Sequence, residues 1–482
     1  MVQISNKFSI YIAGGRILSM LAGFIMPVVL VRVMPQGDYG LTSQFLTLYT
    51  SIYTIAAMGI HTNLFFFCSS VDKKNSDKYV SNTLFLLLLF GIITGLLLSV
   101  PIFKHLIFGD SELGNHSDLI ILSISLATVM NVVSPLNTIR QDKWGALLYP
   151  GFVAFGRIGT ILFTVLMFSD IHQMFLGLFV FQCIITGTIL VYTKMKTHFR
   201  LDFSLMKEQL AYSLPFGLAV ALQLISNYFD KLVCIHMLTP TEYAIYSIAF
   251  LSIPGITQIY DSLCQVNIVN MSNSYKSGRN EEILPQYGNF VIKTLSFSVP
   301  LILVVSLYAE EIMGFLYTSS YASAAPYFRL YSLTFLTSML GAGTILRSMG
   351  KTMQSLYAFI ISCIIGLPLT YLLVKKYGTG GAICGAMINM ILPRLIQMGL
   401  EVKAVNCRIN DYIPWRTVAT ICISSLLLLV PLVIIKFYYH MNIVWCIIES
   451  SIYLLVVYGY LMKNNIFVIS KKMIKQFLLK YK

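Results

Sequence analysis

Charged side chains stand inside long apolar stretches of this chain. Arg16 follows Gly14-Gly15, Arg157 lies in Gly156-Arg157-Ile158-Gly159, Asp230 and Lys231 are neighbours, and Asp261, Arg394 and Glu449 each stand within a long, largely apolar stretch. A charge in such a setting is costly, so each is a candidate for function. Arginine forms bidentate hydrogen bonds to phosphate oxygens. Arg16, Arg157, Lys231 and Arg394 therefore suit an anionic head group. Asp230 and Asp261 suit either a coupling cation or structural pairing, with Asp230 able to neutralise Lys231 or Arg16. For Glu449 and for the histidines His61 and His236, packing and pairing roles are the simpler reading. No group for covalent chemistry accompanies these charges: G-x-S-x-G, the phosphate-binding G-x-x-x-x-G-K-[ST] loop and H-E-x-x-H are all absent. The nine cysteines form no C-x-x-C pair and read as apolar fillers. An enzyme, a metal site and a cofactor are not expected.

The elements that must hold these charges are set by composition. Of 482 residues, 57% are hydrophobic and 11% are charged, against about 25% charged in a soluble domain. Splitting at polar breaks gives fourteen stretches, from Phe8–Val33 to Ile443–Met462, each about the 20 residues that an α-helix needs to cross a bilayer. The expected fold class is all-α, a polytopic membrane protein of about fourteen transmembrane helices. An outer-membrane barrel, a secreted disulfide scaffold and a soluble enzyme are excluded, and nothing points to nucleic acid. The first stretch is too long for a cleaved signal and is expected to remain a helix. Prolines such as Pro27, Pro135, Pro300 and Pro393 predict kinks.

The net charge of +14 has a direction. With both termini on the cytoplasmic side, inner segments hold 23 lysines and arginines and outer loops hold 5, the asymmetry of the positive-inside rule. The basic tail Lys463–Lys482 reads either as an amphipathic helix on the anionic leaflet or as a topogenic end. Asp38-Tyr39 after Pro35 and Glu242-Tyr243 after Pro240 stand 204 residues apart at the same step of two six-span blocks. The expected organisation is an N-terminal lobe over 1–205, a C-terminal lobe over 206–402, related by a pseudo-twofold axis along the membrane normal, and two appended spans with the tail over 403–482. Gly91-x-x-x-Gly95 and Gly381-x-x-x-Gly385 read as close helix contacts.

Three pieces in order carry a resemblance: Gly15-Arg16-Ile17-Leu18 with Gly23-Phe24 and Pro35-x-x-Asp38-Tyr39-Gly40; Ser213-Leu214-Pro215-Phe216-Gly217 with Asp230-Lys231-Leu232 and Glu242-Tyr243-Ala244-Ile245-Tyr246; and Ala309 to Tyr317 through Tyr321-x-x-Ala324-Ala325. Across about four-fifths of its length the chain resembles the polysaccharide-repeat flippases of the Wzx type, in the multidrug/oligosaccharidyl-lipid/polysaccharide exporter superfamily. The resemblance implies a two-lobed transporter in the bacterial cytoplasmic membrane, and a chain that holds both lobes is expected to be a monomer. It would move undecaprenyl-pyrophosphate-linked oligosaccharide between leaflets for O-antigen, capsule or exopolysaccharide, by alternating access. It implies coupling to Na⁺ or H⁺, a polysaccharide polymerase and a chain-length regulator as partners, and cationic cavity residues that attract pyrophosphate, Arg16 among them. The chain departs from that pattern at Asn63-Leu64-Phe65-Phe66-Phe67, where relatives often carry an arginine.

Competing readings differ in the charges they require. A multidrug antiporter of the same superfamily, exchanging cationic drugs for Na⁺ or H⁺, should be rich in intramembrane acids, and deep bases are at least as numerous here. A membrane-embedded polymerase should carry a long external loop with arginines, and the outer loops are short. A structural scaffold accounts for neither the buried arginines nor the repeat.

Overall fold

The computed structural model describes residues 6–68, 73–251, 256–338, 340–438, 442–464 and 466. The expected tail beyond 466 and the side chain of Asp261 lie outside the described residues. Packing divides the chain into two compact units, Met1–Ile245 and Tyr246–Lys482.

In the first unit α1 (Asn6–Val33) leads to α2 (Gln36–Ala56), a 3-10 turn at Ile60–Asn63 and the short α3 (Leu64–Phe67). α4 (Lys73–Ser99) and α5 (Pro101–Phe108) follow, then α6 (Ser117–Ala127), which passes through a 3-10 turn at Thr128–Val132 into α7 (Val133–Arg140). α8 (Lys143–Phe168), α9 (Ile171–Lys196) and α10 (Phe203–Met237) complete it with the start of α11 (Pro240–Ala249). The second unit holds α12 (Ile256–Lys276), α13 (Ile283–Leu307), α14 (Ala309–Tyr317), α15 (Ala325–Ser338), α16 (Thr344–Ser348) and α17 (Thr352–Val405), then α18 (Ile409–Tyr412), α19 (Trp415–Tyr438) and α20 (Ile443–Lys463). All regular elements among the described residues are helical.

Nine helices among the described residues are long and apolar enough to cross a membrane. One of them, α17, holds two spans joined at Gly378, whose φ of 55° and ψ of −130° interrupt the helix. The other expected spans, α2, α10, α11–α12 and α15–α16, are more polar or broken, so fourteen remains the reading. α2 shows how a polar span persists. The hydroxyls of Thr42, Thr50, Ser51 and Thr54 donate to carbonyls of Asp38, Leu46, Thr47 and Thr50 at 2.7–2.8 Å, so they ask nothing of their surroundings.

Several expected helices are interrupted, each for a local reason. The stretch Leu41–Cys68 turns at Met58 and Gly59, both with positive φ. The 3-10 turn before α7 lies just ahead of Pro135, which cannot donate a hydrogen bond to the preceding turn. Tyr327–Leu346 breaks at Gly341 and Gly343, also with positive φ. There the buried Glu401 takes over as acceptor for the N–H groups of Ile345 and Leu346, at 2.7 and 3.1 Å, and for the Tyr412 hydroxyl. A fully buried carboxylate with three donors is thus the cap of the second half of a split span.

Each unit has its own core, one built around Leu87, Val129, Leu136 and Ile189 and the other around Tyr287, Val291, Ile302 and Tyr412. Outward faces are apolar, as at Leu96, Phe163, Leu427 and Leu455, all exposed, the pattern of helices solvated by lipid. The small-residue pairs are contact points. A Cβ on Gly91 would lie 2.2 Å from the carbonyl oxygen of Ser125, and one on Gly381 would lie 1.9 Å from that of Leu373. Because backbone cannot yield as a side chain can, Gly91→Ala is expected to cost about 1–3 kcal/mol. Gly95→Ala, which would meet the Ser125 side chain (Oγ at 2.3 Å, Cβ at 3.3 Å) and no backbone, should cost less. Thermal unfolding in detergent compares them, and equal melting points would show that α4 and α6 can separate freely.

The segment between α9 and α10 is stapled to the start of α4. Arg140 pairs with Asp77, which also accepts the N–H of His198 at 3.2 Å. The Arg200 N–H donates to Ser81 Oγ at 3.1 Å. Asn82 exchanges two hydrogen bonds with the backbone of Asp202, at 2.9 and 3.0 Å, and Lys78 pairs with the Asp202 carboxylate at 3.0 Å. In the second unit the neighbouring acids Glu310 and Glu311 diverge to separate cations, Arg329 at 3.0 Å and Lys436 at 2.7 Å. Glu449 accepts from the Tyr308 hydroxyl at 2.6 Å. These carboxylates hold helix ends together.

Candidate cationic cavity

The first unit contains a cavity of about 280 Å³ lined by α1, α2, α7 with the turn before it, and α8. Spacing puts its residues on shared faces. Ile12, Arg16 and Ser19 stand at i, i+4 and i+7 on α1, and Tyr149, Val153 and Arg157 stand at i, i+4 and i+8 on α8, intervals that align side chains along a helix. α1 and α8 pack backbone to backbone where Gly15 meets the Ala146 carbonyl, bringing Arg16 beside the α8 face. Tyr53, Ser134, Asn137 and Thr138 complete the polar lining.

Arg16 and Arg157 are thus the two sequence candidates that share a site. No Asp or Glu lines the cavity, and neither arginine has an ion pair among the described residues. The guanidinium of Arg157 lies over the ring of Tyr49, 4.8 Å from its centre. Arg16 is exposed. Two cations with neutral polar neighbours have the chemistry to hold an anion with several oxygens.

The remaining candidates lie elsewhere. Lys231 is 3.6 Å from the carboxylate of buried Asp230 and sits over the Tyr228 ring. Arg394, in the second unit, is partly buried and donates to Thr337 Oγ1 at 3.3 Å. His236 contacts the Leu106 carbonyl at 2.9 Å. Residues not singled out in the sequence contribute as much as the charges do: Tyr49, Tyr53, Tyr149 and Asn137. A signal for the first two existed, since Thr47-Leu48-Tyr49-Thr50-Ser51-Ile52-Tyr53-Thr54 is too polar for a span that faces only lipid.

A charged knot adjoins the cavity at Asn137. Asp142 caps α8 by accepting the Gly145 N–H at 3.0 Å and pairs with Lys196 at 2.5 Å. The Tyr192 hydroxyl lies between its carboxylate, at 2.8 Å, and Asn137 Oδ1, at 2.6 Å. Partial burial pushes the Asp142 carboxyl upward, but the bonds from Lys196, Gly145 and Tyr192 outweigh it and hold it at about 2. Its folded value is below the ordinary carboxylate range near 3.9, so its stabilisation is complete above about pH 4 and disappears as pH falls towards 2. Asp142→Asn is expected to flatten the melting temperature between pH 5 and pH 2. An unchanged acid profile would remove Asp142 from this role.

The fold is that of a multi-pass, all-α membrane transporter. The chain belongs to the polysaccharide biosynthesis protein family, whose model matches residues 6–266; the MatE family model matches residues 215–372. No curated protein matches it in sequence. Among solved structures it is similar to the lipid II flippase MurJ in an inward closed conformation, with a TM-score of 0.72, 16% identity and coverage of 96% of this chain and 100% of that one. An inward-facing multidrug resistance MATE family transporter of the MOP superfamily matches with a TM-score of 0.64 and 14% identity over 80% of this chain and 94% of that one. An outward-facing one matches at 0.51 and 14% over 83% and 94%. At these identities the likeness is one of fold: a multi-pass, all-α transporter fold of about fourteen spans.

Proposed function

We propose that the protein flips undecaprenyl-pyrophosphate-linked oligosaccharide from the inner to the outer leaflet of the bacterial cytoplasmic membrane, supplying O-antigen, capsule or exopolysaccharide synthesis. The observation that carries this reading is the pair Arg16 and Arg157, facing one cavity with no carboxylate in its lining. A cationic drug would be repelled there, whereas a diphosphate finds two guanidinium forks. The volume of about 280 Å³ is at the small end for ligand sites. It admits the diphosphate region and leaves the glycan and the prenyl tail outside. Unaided passage is slow because the charged head must shed its water, and the cavity replaces part of that hydration.

In this reading the six-span lobes over 1–205 and 206–402 rock by alternating access, with 403–482 appended, as a monomer whose termini are cytoplasmic. Coupling to Na⁺ or H⁺ falls to Asp230 or Asp261, and Lys231 and Arg394 are further contacts for the head group. A polymerase and a chain-length regulator would act on the product. The test is a liposome assay: purified protein with polyprenyl-pyrophosphate oligosaccharide, scoring sugar that becomes accessible to an added lectin on the far side. Sugar movement supports the reading. Expulsion of a cationic dye under a Na⁺ or H⁺ gradient, with no sugar movement, would replace it with the antiporter.

A further inference from the structure

Arg157 sits in the wall of the cavity without a carboxylate, and something must hold its charge in a medium that solvates it poorly. The surroundings show a neutral device. The Arg157 guanidinium lies 4.8 Å from the centre of the Tyr49 ring. The Tyr49 hydroxyl donates to Gln182 Oε1 at 2.5 Å, Gln182 Nε2 donates to Thr186 Oγ1 at 3.1 Å, and Thr186 Oγ1 donates to the Leu126 carbonyl at 3.2 Å. Tyr49, Gln182 and Thr186 are all buried. The Tyr49 hydroxyl also lies 3.3 Å from Met130 Sδ, but its short bond is to Gln182, and from there the hydrogen bonds run away from the arginine to a backbone carbonyl. The phenol oxygen and the electron-rich ring face are left towards the cation.

We infer that Tyr49 and Gln182 are positioning residues for anion binding, forming a relay that stabilises and orients Arg157 while leaving its net charge intact for the ligand. The inference rests on the proposed function, since it concerns the same cavity. A carboxylate in the place of Tyr49 would hold the guanidinium more strongly but would cancel its attraction for phosphate. A phenol with its proton committed to Gln182 does the first without the second. Chains of hydrogen bonds polarise one another, so loss of the Gln182 acceptor should be felt at Arg157, one residue further on.

The experiment measures binding of inorganic pyrophosphate to the full-length protein in nanodiscs by titration calorimetry, across a mutant cycle. Gln182→Leu and Tyr49→Phe, which keeps the ring, are each expected to weaken binding about tenfold. Tyr49→Leu should weaken it more. In an Arg157→Gln background, Gln182→Leu should add nothing. If Gln182→Leu weakens binding by the same factor with and without Arg157, it acts elsewhere and the relay is overturned while the anion site stands. If Tyr49→Phe and Gln182→Leu both bind as the wild type does, the relay is likewise overturned. If Arg157→Gln itself binds pyrophosphate normally, or the wild type does not bind it, the cavity reading fails and the relay with it. Tyr49→Phe removes one oxygen from the packed core, so it keeps the test open should Gln182→Leu fail to fold.

Discussion

Arg157→Ala and Arg16→Ala each reduce the movement of lipid-linked sugar in liposomes by about 100-fold or more, with protein level unchanged. Each guanidinium can supply two charge-assisted hydrogen bonds to a diphosphate, and such bonds contribute about 1.5–3 kcal/mol each. Losing one fork therefore exceeds the 2.7 kcal/mol that corresponds to 100-fold. Lysine at either position keeps the charge and loses the fork, so Arg16→Lys and Arg157→Lys should fall between, near tenfold. The same substitutions carry an opposite expectation for stability. An arginine with no acidic partner among the described residues is a burden on the empty protein, so the alanine variants should melt at the same temperature or higher. Strong transport by either alanine variant would show that the head group binds elsewhere. A collapse in melting temperature would show that the arginines hold the fold instead.

Arg140→Ala has the largest expected effect on stability. Asp77 and Arg140 are 3% and 12% exposed at their side chains. Removing the cation leaves a buried carboxylate with only the His198 N–H at 3.2 Å, a change that costs about 3–5 kcal/mol. The damage should spread along the stapled segment between α9 and α10, where Ser81, Asn82 and Lys78 depend on the same register of α4. The double variant Asp77→Asn with Arg140→Ala should regain most of the loss, because the amide oxygen still accepts from His198 and no charge remains. Urea or thermal unfolding in detergent decides it. If the double variant is no better than the single, the arginine acts through its packing and not through its charge.

Much of the fold could be read from the chain because lipid leaves few solutions: apolar runs of this length must be helices. The breaks were harder. Gly341-Ala342-Gly343 is visible as a weak point, but the residue that makes the break affordable, Glu401, lies 58 positions after Gly343 in the sequence and is brought there by the return of α17. At the site, Arg16 and Arg157 stand out because charge in an apolar run is rare. That they share one cavity is a matter of helix packing, set where Gly15 meets Ala146, and single-chain spacing does not encode it. The roles of Tyr49 and Gln182 are hidden in the sequence for a different reason. Tyrosine and glutamine are ordinary at helix contacts, and only the direction of their hydrogen bonds gives them a role.

The junction at Gly378 bears on how such a chain can evolve. Two spans meet there through one residue whose φ and ψ lie outside the range of other amino acids, so no loop separates them to absorb change in length. Inserting or deleting one codon near this point would turn everything downstream by about 100° about the helix axis, swapping the faces that meet lipid and protein along the whole second half of α17. Natural variation in this stretch should therefore proceed by replacement of residues at constant length, while gains and losses of codons collect at the connections between other spans.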